Sequence, residues 1–183
     1  MGQDPITLII RTLGELYAFI LVLRFLLQLA RADYYNPISQ AVVRLTQPPV
    51  RPLQMLFRPR GRFDASPLVL AVAVKAVTLL IIVSLANISG ALTAVQLLAY
   101  SVVGVIDSIL TIYFWAVIGA VIISWVSPDS PHPAPQLLLQ LTEPLFALAR
   151  KVIPPIGGLD LSPILIFLVI QILQSQLGRL LAF

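Results

Sequence analysis

Residues 45–67 read LTQPPVRPLQMLFRPRGRFDASP, and residues 141–163, which lie 96 positions further along the chain, read LTEPLFALARKVIPPIGGLDLSP. Both stretches pass from a Leu-Thr-X-Pro element to an Asp-X-Ser-Pro element over the same distance. From residue 37 to residue 67 the two copies share ten identities in 31 pairs, where ordinary composition gives about two by chance. The chain therefore contains an internal duplication, which divides it into a first unit, 1–90, and a second unit, 91–183.

The composition identifies the solvent in which these units fold. Of the 183 residues, 58% are hydrophobic and 11% are charged, and the mean hydropathy is +0.95. A soluble domain has about 25% charged residues. The apolar residues form four runs long enough to cross a bilayer core of about 30 Å. These runs are 6–30, 67–88, 92–126 and 163–181. They predict an all-α integral membrane protein with four transmembrane helices.

Three further features exclude other classes of protein. The chain has no cysteine, which excludes disulfides, iron–sulfur clusters and thiolate zinc sites. The residues before the first run include Asp4 but no basic residue, and the run continues past Leu27, so we expect no cleavable signal. The net charge of +4 is typical of basic cytoplasmic loops in a membrane protein. We therefore expect no nucleic-acid partner.

Each unit has a polar arm of 36 residues between its two apolar runs, at 31–66 and 127–162. Apolar residues in both arms recur at helical spacing with polar residues opposite, which is the pattern of a helix lying along a membrane interface. Prolines interrupt both patterns, so we expect two short helices meeting at an angle in each arm. These prolines are Pro48, Pro49 and Pro52 in the first arm and Pro144 in the second.

Basic residues predict the orientation. The first arm contains six arginines and two aspartates, whereas the connection at 87–93 has no charge. Since basic loops remain in the cytoplasm, we expect both arms to be cytoplasmic and both termini to lie on the opposite side. Each unit then crosses the membrane an even number of times, so the units are parallel repeats.

Five arginines of the first arm are candidates for binding anionic lipid headgroups, at about 1 kcal/mol for each basic residue near the surface. They are Arg44, Arg51, Arg58, Arg60 and Arg62. The alternative is that these arginines only determine the topology.

Motifs in both units resemble those of a known family. The first unit contains Glu15-Leu16-Tyr17, Arg24, Asp33, Tyr35-Asn36-Pro37 and Thr46-Gln47-Pro48, and the second contains Phe114-Trp115, Ser124-Trp125-Val126-Ser127, Thr142-Glu143-Pro144, Gly157-Gly158-Leu159-Asp160 and Ser162-Pro163. Over nearly the whole chain these residues resemble the two repeats of the YggT family of small bacterial membrane proteins. Asp107 departs from the family pattern, which tends to have a basic or neutral residue there.

The resemblance implies a multi-pass protein of the bacterial plasma (inner) membrane. Family members have been linked to osmotic tolerance and potassium homeostasis, and in some bacteria to cell division. Plastid relatives have been linked to cytochrome b6 assembly and nucleoid distribution. The resemblance implies no agreed catalytic residue.

Five ionisable residues lie inside the predicted spans, where each costs about 2.5 to 3.5 kcal/mol unless it has a partner or a wet surface. They are Arg11, Glu15, Arg24, Lys75 and Asp107. Counting about 1.5 Å per residue from the arm ends of the spans predicts an outer cluster of Arg11, Glu15 and Asp107 and an inner basic pair of Arg24 and Lys75. These residues either fix the register of the helices or line a polar path between the units.

The repeated Asp-X-Ser-Pro element has a structural and a functional interpretation. In the structural one, the hydroxyls of Ser66 and Ser162 cap the helices that follow, while Asp64 and Asp160 favour the positive helix ends. In the functional one, the two carboxylates attract a cation at the cytoplasmic side.

The sequence contains no nucleophile triad, phosphate-binding loop or metal-ligand spacing, and its only histidine, His132, lies in a proline-rich loop. We therefore expect no catalytic residue, cofactor or metal. The predicted function is that of a non-enzymatic membrane protein whose arms lie on the membrane and engage other proteins or a second copy. It would affect membrane-complex assembly or osmotic and ion homeostasis. The alternative is a small potassium or proton channel or transporter, or an accessory subunit of one.

Overall fold

The computed structural model describes residues 4–86, 92–127, 130–155 and 160–181. These ranges form six α-helices and contain no strand. The helices are α1 (Pro5–Leu29), α2 (Pro37–Leu56), α3 (Ser66–Leu85), α4 (Ala94–Val126), α5 (Pro133–Val152) and α6 (Ser162–Leu181). Four of them, α1, α3, α4 and α6, are long and apolar enough to cross a membrane. The prediction of an all-α multi-pass membrane protein is confirmed.

Each unit consists of a span, an arm helix and a second span. In the first unit, Asn36 caps the arm helix α2 because its Oδ1 accepts the N–H of Ile38 at 2.9 Å. Beyond α2, Gly61 has a φ of +59°, which glycine adopts readily. It lies in a tight turn in which Arg60 and Phe63 exchange backbone hydrogen bonds. This turn returns the chain to the start of α3.

The prediction that each arm consists of two short helices is wrong, because α2 and α5 are each continuous through their prolines. Pro48, Pro49 and Pro52 lack the N–H that would bond to the carbonyl four residues earlier. The residues whose carbonyls lose this partner, Arg44, Leu45 and Pro48 itself, lie on the exposed side of α2. On its other side α2 buries Val42, Thr46 and Val50, so packing maintains one direction through the prolines.

The helix pair α1 and α3 forms the most extensive contact in the molecule. A Cβ atom added to Gly14 would clash with the side chain of Thr78, so this side chain packs directly on the backbone of α1 at this point. In the arm half of α1, Leu21 and Val22 are fully buried in a core that also includes residues of α2, α3, α4 and α5.

A second, smaller core joins α4, α5 and α6 of the second unit and includes Val117, Phe146 and Ile166. The two units contact each other mainly through α4, which packs against both α3 and α1. The helix α6 packs mainly against α4 and α5. The interface between the units therefore lies on one side of α4, and the contacts of α6 lie on another.

Candidate functional site

An ion pair joins the first two spans. Nζ of Lys75 in α3 donates to Oε2 of Glu15 in α1 at 2.5 Å. The Lys75 side chain is 10% exposed and the Glu15 side chain 52% exposed. The stem of Lys75 passes α4 at Gly104, where an added Cβ would lie 3.1 Å from the lysine Cδ. A residue without a side chain at this position therefore gives the lysine room between α3 and α4.

The ion pair faces a cavity of about 390 Å³ between α1, α3 and α4. Its polar lining consists of Thr7, Arg11, Glu15, Lys75, Thr78, Tyr100 and Ser101. Arg11 thus shares the cavity with the ion pair. An acid, two bases and several hydroxyls can hold water or a small ion at this depth of the spans.

The predicted outer cluster does not form as a group of three, because Arg11 and Glu15 line one cavity but Asp107 does not join them. Oδ1 of Asp107 instead accepts from Nε2 of Gln174 in α6 at 3.3 Å, and this amide also donates to Oγ1 of Thr111 at 3.2 Å. Asp107 therefore connects the two spans of the second unit. The predicted inner pair of Arg24 and Lys75 does not form either, because Lys75 binds Glu15.

The depth at which α3 begins explains these differences. Phe63, just before α3, packs edge to face against Phe25 of α1 with ring centroids 5.7 Å apart. Together with the contact between Gly14 and Thr78, this ring contact fixes how α3 aligns with α1. The first residues of α3 lie about four residues, or roughly 6 Å, further from the arm side than the end of α1. Lys75 therefore lies within reach of Glu15. The residue count placed the arm ends of both spans at the same depth, which put Lys75 too close to the arms.

The polar contacts between spans in the two units occupy equivalent positions. Residues 96 apart line the two sites, as the pairs Arg11 and Asp107, Glu15 and Thr111, and Thr78 and Gln174. Lys75 of the ion pair is the exception, because the position 96 residues later is Gln171 rather than Gln174. Gln174 and Thr78 were absent from the predicted set, which contained only ionisable residues. The signal that could have found them is that they are polar residues 96 positions apart inside predicted spans.

Arg24 anchors the first arm to α1. Although only 7% exposed, it donates from Nη1 to Oγ1 of Thr46 at 2.9 Å and from Nη2 to Oε1 of Gln47 at 2.6 Å. Nε2 of Gln47 donates to Oε1 of Gln54 at 3.3 Å, and Nε2 of Gln54 to Oδ2 of Asp64 at 2.6 Å. This arm network therefore connects α1, α2 and the start of α3.

The second unit repeats the arm network with charged residues. Arg150 donates from Nη1 to Oε1 of Glu143 and from Nε to Oδ2 of Asp160, both at 3.1 Å. Three pairs of positions 96 apart form the two networks, namely Gln47 and Glu143, Gln54 and Arg150, and Asp64 and Asp160. Each unit therefore fastens its arm helix to its second span at the same three positions.

Interactions within the second network shift two pKa values. Partial burial of Asp160 favours its neutral form, but hydrogen bonds from Ser162 and Arg150 outweigh burial and lower the pKa of Asp160. Burial likewise disfavours the charged form of Arg150, but its contacts with Asp160 and Glu143 outweigh burial and raise the pKa of Arg150. Both residues are therefore charged at neutral pH.

The repeated aspartates, rather than the serine hydroxyls, cap the second spans. Oδ1 of Asp64 accepts the N–H of Ser66, and Oδ1 of Asp160 accepts the N–H of Ser162, each at 2.9 Å. The predicted serine caps do not form because α3 and α6 begin at the serines themselves, one position too late for the hydroxyl to reach the N–H groups of the first turn. Both aspartates are engaged in the arm networks, so they are not unpartnered carboxylates that await a cation.

Within the residues that the structure describes, two hydrogen bonds join the arms of the two units. Nδ2 of Asn36 donates to the carbonyl of Pro133 at 2.8 Å, and the N–H of Asp33 donates to Oε1 of Gln140 at 2.8 Å. The first arm meets the second at the beginning of α5. The two arms thus form one connected layer at the ends of the spans.

Large apolar side chains and arginines are both exposed on this layer. The exposed apolar residues include Leu45, Met55, Leu56, Leu148 and Val152. The arginines predicted to bind lipid, Arg44, Arg51, Arg58, Arg60 and Arg62, are exposed as well.

In the described residues no three His, Asp or Glu side chains are grouped as metal ligands. His132 precedes α5 and its side chain makes no capping hydrogen bond.

Comparisons with known proteins relate the whole chain to one family. A family model described as CCB3/YggT matches residues 3–85 and 99–181, two segments offset by the 96 residues of the internal repeat. An uncharacterized protein of Pseudomonas aeruginosa is 44% identical over 166 residues, or 91% of this chain and 84% of its own. The uncharacterized protein YggT of Escherichia coli K12 is 31% identical over 188 residues, or 98% and 92%.

A more distant match comes from a plant. The YlmG homolog protein 2, chloroplastic, of Arabidopsis thaliana is 39% identical over 67 residues, or 37% of this chain and 26% of its own. No solved structure matches the chain significantly.

Proposed function

The chain belongs to the CCB3/YggT family, and on that premise we propose that it is a non-enzymatic membrane scaffold of the bacterial plasma membrane. Its two arms form a single surface that lies on the cytoplasmic face and engages other membrane proteins. Through these partners it affects the assembly of membrane complexes or osmotic and ion homeostasis.

The duplicated arm network is the observation that carries this proposal. Two arms that only connected spans would need no buried or charged contacts along their length. Each arm is instead fastened by hydrogen bonds to charged groups, of a kind worth about 1.5 to 3 kcal/mol each, and the arms bond to each other through Asn36 and Asp33. Such rigidity is expected when the arm surface itself recognises a partner.

The exposed residues of the arms favour a position at the membrane interface. Met55 and Leu148 are 71% and 60% exposed, and burying such side chains among lipid tails removes apolar area from water. Arginine stems can lie along the same interface while their guanidinium groups reach the headgroups. The six arginines of the first arm favour the cytoplasmic side.

The absence of cysteine from the chain allows a direct test of arm depth. Spin labels on Leu45→Cys and Leu148→Cys should be relaxed more by oxygen than by a water-soluble nickel complex, whereas a label on Arg51→Cys, on another face of α2, should show the opposite preference. Equal accessibility to the nickel complex at all three positions would contradict membrane-lying arms.

The same background tests orientation and partners. An impermeant maleimide should label Asp4→Cys but not Ser130→Cys in intact cells, and the reverse would invert the topology. A photo-crosslinking amino acid at Met55 should capture other membrane proteins in the native host, while one at Val69, exposed on α3, serves as the control. Adducts with lipid alone at both positions would contradict the scaffold.

The ion pair of Glu15 and Lys75 favours a second candidate function, an ion pathway. A charged cavity among spans is a feature of transport proteins. On α1, however, the fully buried Ala18, Leu21 and Val22 lie between this cavity and Arg24. A continuous ion path through one copy of the chain would therefore require these residues to move apart. Because of this apolar layer, we prefer the scaffold to the ion pathway.

Flux measurements distinguish the two candidates. Purified chain in liposomes should conduct neither potassium nor protons under imposed gradients if it is a scaffold. Flux that disappears in Glu15→Gln and Lys75→Met, but not in the matched second-unit variant Asp107→Asn, would contradict the scaffold and favour the ion pathway.

A further inference from the structure

A second cavity, of about 620 Å³, lies between α1 and the first arm. Its polar lining consists of Arg24, Gln28, Tyr34, Ser39, Arg44 and Gln47, and three aliphatic side chains complete its wall. Among the described residues, its lining therefore contains two cations and no carboxylate. Its volume is in the range of small-molecule sites in proteins, about 300 to 1,000 Å³.

Arg24 lacks direct charge compensation in this cavity. Only 7% of it is exposed, yet in the described residues it forms no ion pair, and its two hydrogen-bond partners are the neutral Thr46 and Gln47. Asp64 is connected to it only through the amides of Gln47 and Gln54. A buried cation is costly unless it is paired, so an anion in the cavity would supply what the chain does not.

Ser39 gives an independent indication of a ligand. It lines the cavity, is 5% exposed, and its Oγ has no hydrogen-bond partner among the described residues, which are continuous around it from 4 to 86. Buried hydroxyls nearly always have a partner. A buried donor without a partner, beside a guanidinium that has no direct ion pair in the described residues, is an arrangement that an oxyanion would complete.

We infer that this cavity binds a negatively charged phosphate group. A phosphate oxygen accepts from guanidinium and hydroxyl donors at once, and two arginines supply the positive charge. Arg24 lies five residues before the end of α1, about 8 Å from the arm side, so the cavity lies in the arm-side part of the span. The source of the phosphate is either an anionic phospholipid, whose glycerol and upper chains would contact the aliphatic wall, or free phosphate.

The second unit does not repeat this site. The position equivalent to Arg24 is Ala120, and Glu143 takes the place of Gln47. Of the two cations of the second arm, Arg150 is paired with two carboxylates and Lys151 is exposed. The inference therefore predicts one phosphate site in each chain. It does not depend on which proteins the arms bind in the proposed scaffold.

The test is a binding measurement on the full chain in maltoside detergent and phosphate-free buffer. Phosphatidylglycerol and inorganic phosphate are added separately, with oleate as an anion that lacks phosphate. At least one phosphate-bearing probe should bind with one site per chain, and oleate should not compete. Whichever of the two binds identifies the source.

Matched variants connect the binding to this cavity. Ser39→Ala removes the unpartnered donor without removing a contact within the chain, and it should raise the Kd roughly tenfold or more, as expected for one hydrogen bond to a charged group. Ser162→Ala, which removes the other buried hydroxyl that has no partner within the described part of the chain, should leave the Kd unchanged. Arg44→Gln should weaken binding, while Lys151→Gln, which removes an exposed cation of the second arm outside the cavity, should not.

Two outcomes would overturn the inference. One is that neither phosphatidylglycerol nor inorganic phosphate binds to the folded chain. The other is that Ser39→Ala and Ser162→Ala bind equally well. Because Ser39→Ala removes no internal hydrogen bond, its folding should match that of the parent chain, and the circular dichroism of each variant checks this before binding is compared.

Discussion

The ion pair between Glu15 and Lys75 leads to a quantitative prediction about the coupling of α1 and α3. Two unit charges about 4 Å apart interact by roughly 4 kcal/mol at an effective dielectric constant of about 20. Half of the Glu15 side chain is open to the cavity, which screens the charges. We therefore expect a coupling free energy of about 1 to 2 kcal/mol between the two residues.

The assay is a double-mutant cycle with Glu15→Gln, Lys75→Met and the double variant, using equilibrium unfolding in mixed micelles. Each single variant leaves one charge without its partner and should be less stable than the parent, whereas the double variant should lose less than the sum of the two. Asp107→Asn is the control, since it should show no coupling with Lys75→Met. A coupling near zero for Glu15 and Lys75 would refute the pairing and the register of α1 and α3 derived from it.

Two further predictions concern packing and pH. Gly14→Ala should be less stable than Gly178→Ala by about 1 to 3 kcal/mol. The reason is that the new Cβ at position 14 meets Thr78, whereas nothing lies within 4 Å of a Cβ at Gly178. Equal unfolding midpoints would count against the close approach of α1 and α3. Since the pKa of Asp160 is lowered in the folded chain, its carboxylate stabilises the fold at pH values above the pKa of the unfolded state, near 4. This contribution is lost as the pH falls through the lower pKa of the folded state. A pH titration of unfolding should therefore show a loss of stability in acid that is smaller in Asp160→Asn, and identical profiles would contradict a stabilising contact with Arg150.

The spans and the repeat could be predicted from the sequence because both depend on local information. A run such as 67–88 is apolar enough by itself to require lipid, and the structure begins this span at Ser66. The 96-residue period rests on identities that need no coordinates. The same period also relates polar contacts, such as Glu143 with Arg150, to equivalent positions in the first unit.

The partners of the charged residues could not be predicted, because they depend on the depth of each span. The turn around Gly61 and the packing of Phe63 on Phe25 set the start of α3 deeper than the end of α1, and neither appears in a residue count. The continuity of α2 through Pro48 depends similarly on tertiary packing, which outweighs a local preference. The cavity around Ser39 arises only when α2 packs against α1.

The distance between the two arms tests the central claim of a rigid arm surface most directly. Spin labels on Arg51→Cys and Lys151→Cys, one on each arm helix, should give a single narrow distance distribution by pulsed electron paramagnetic resonance in nanodiscs. Replacing Gln54 and Arg150, the central residues of the two arm networks, with leucine should broaden it. A broad distribution in the otherwise unaltered chain, unaffected by those replacements, would contradict the account.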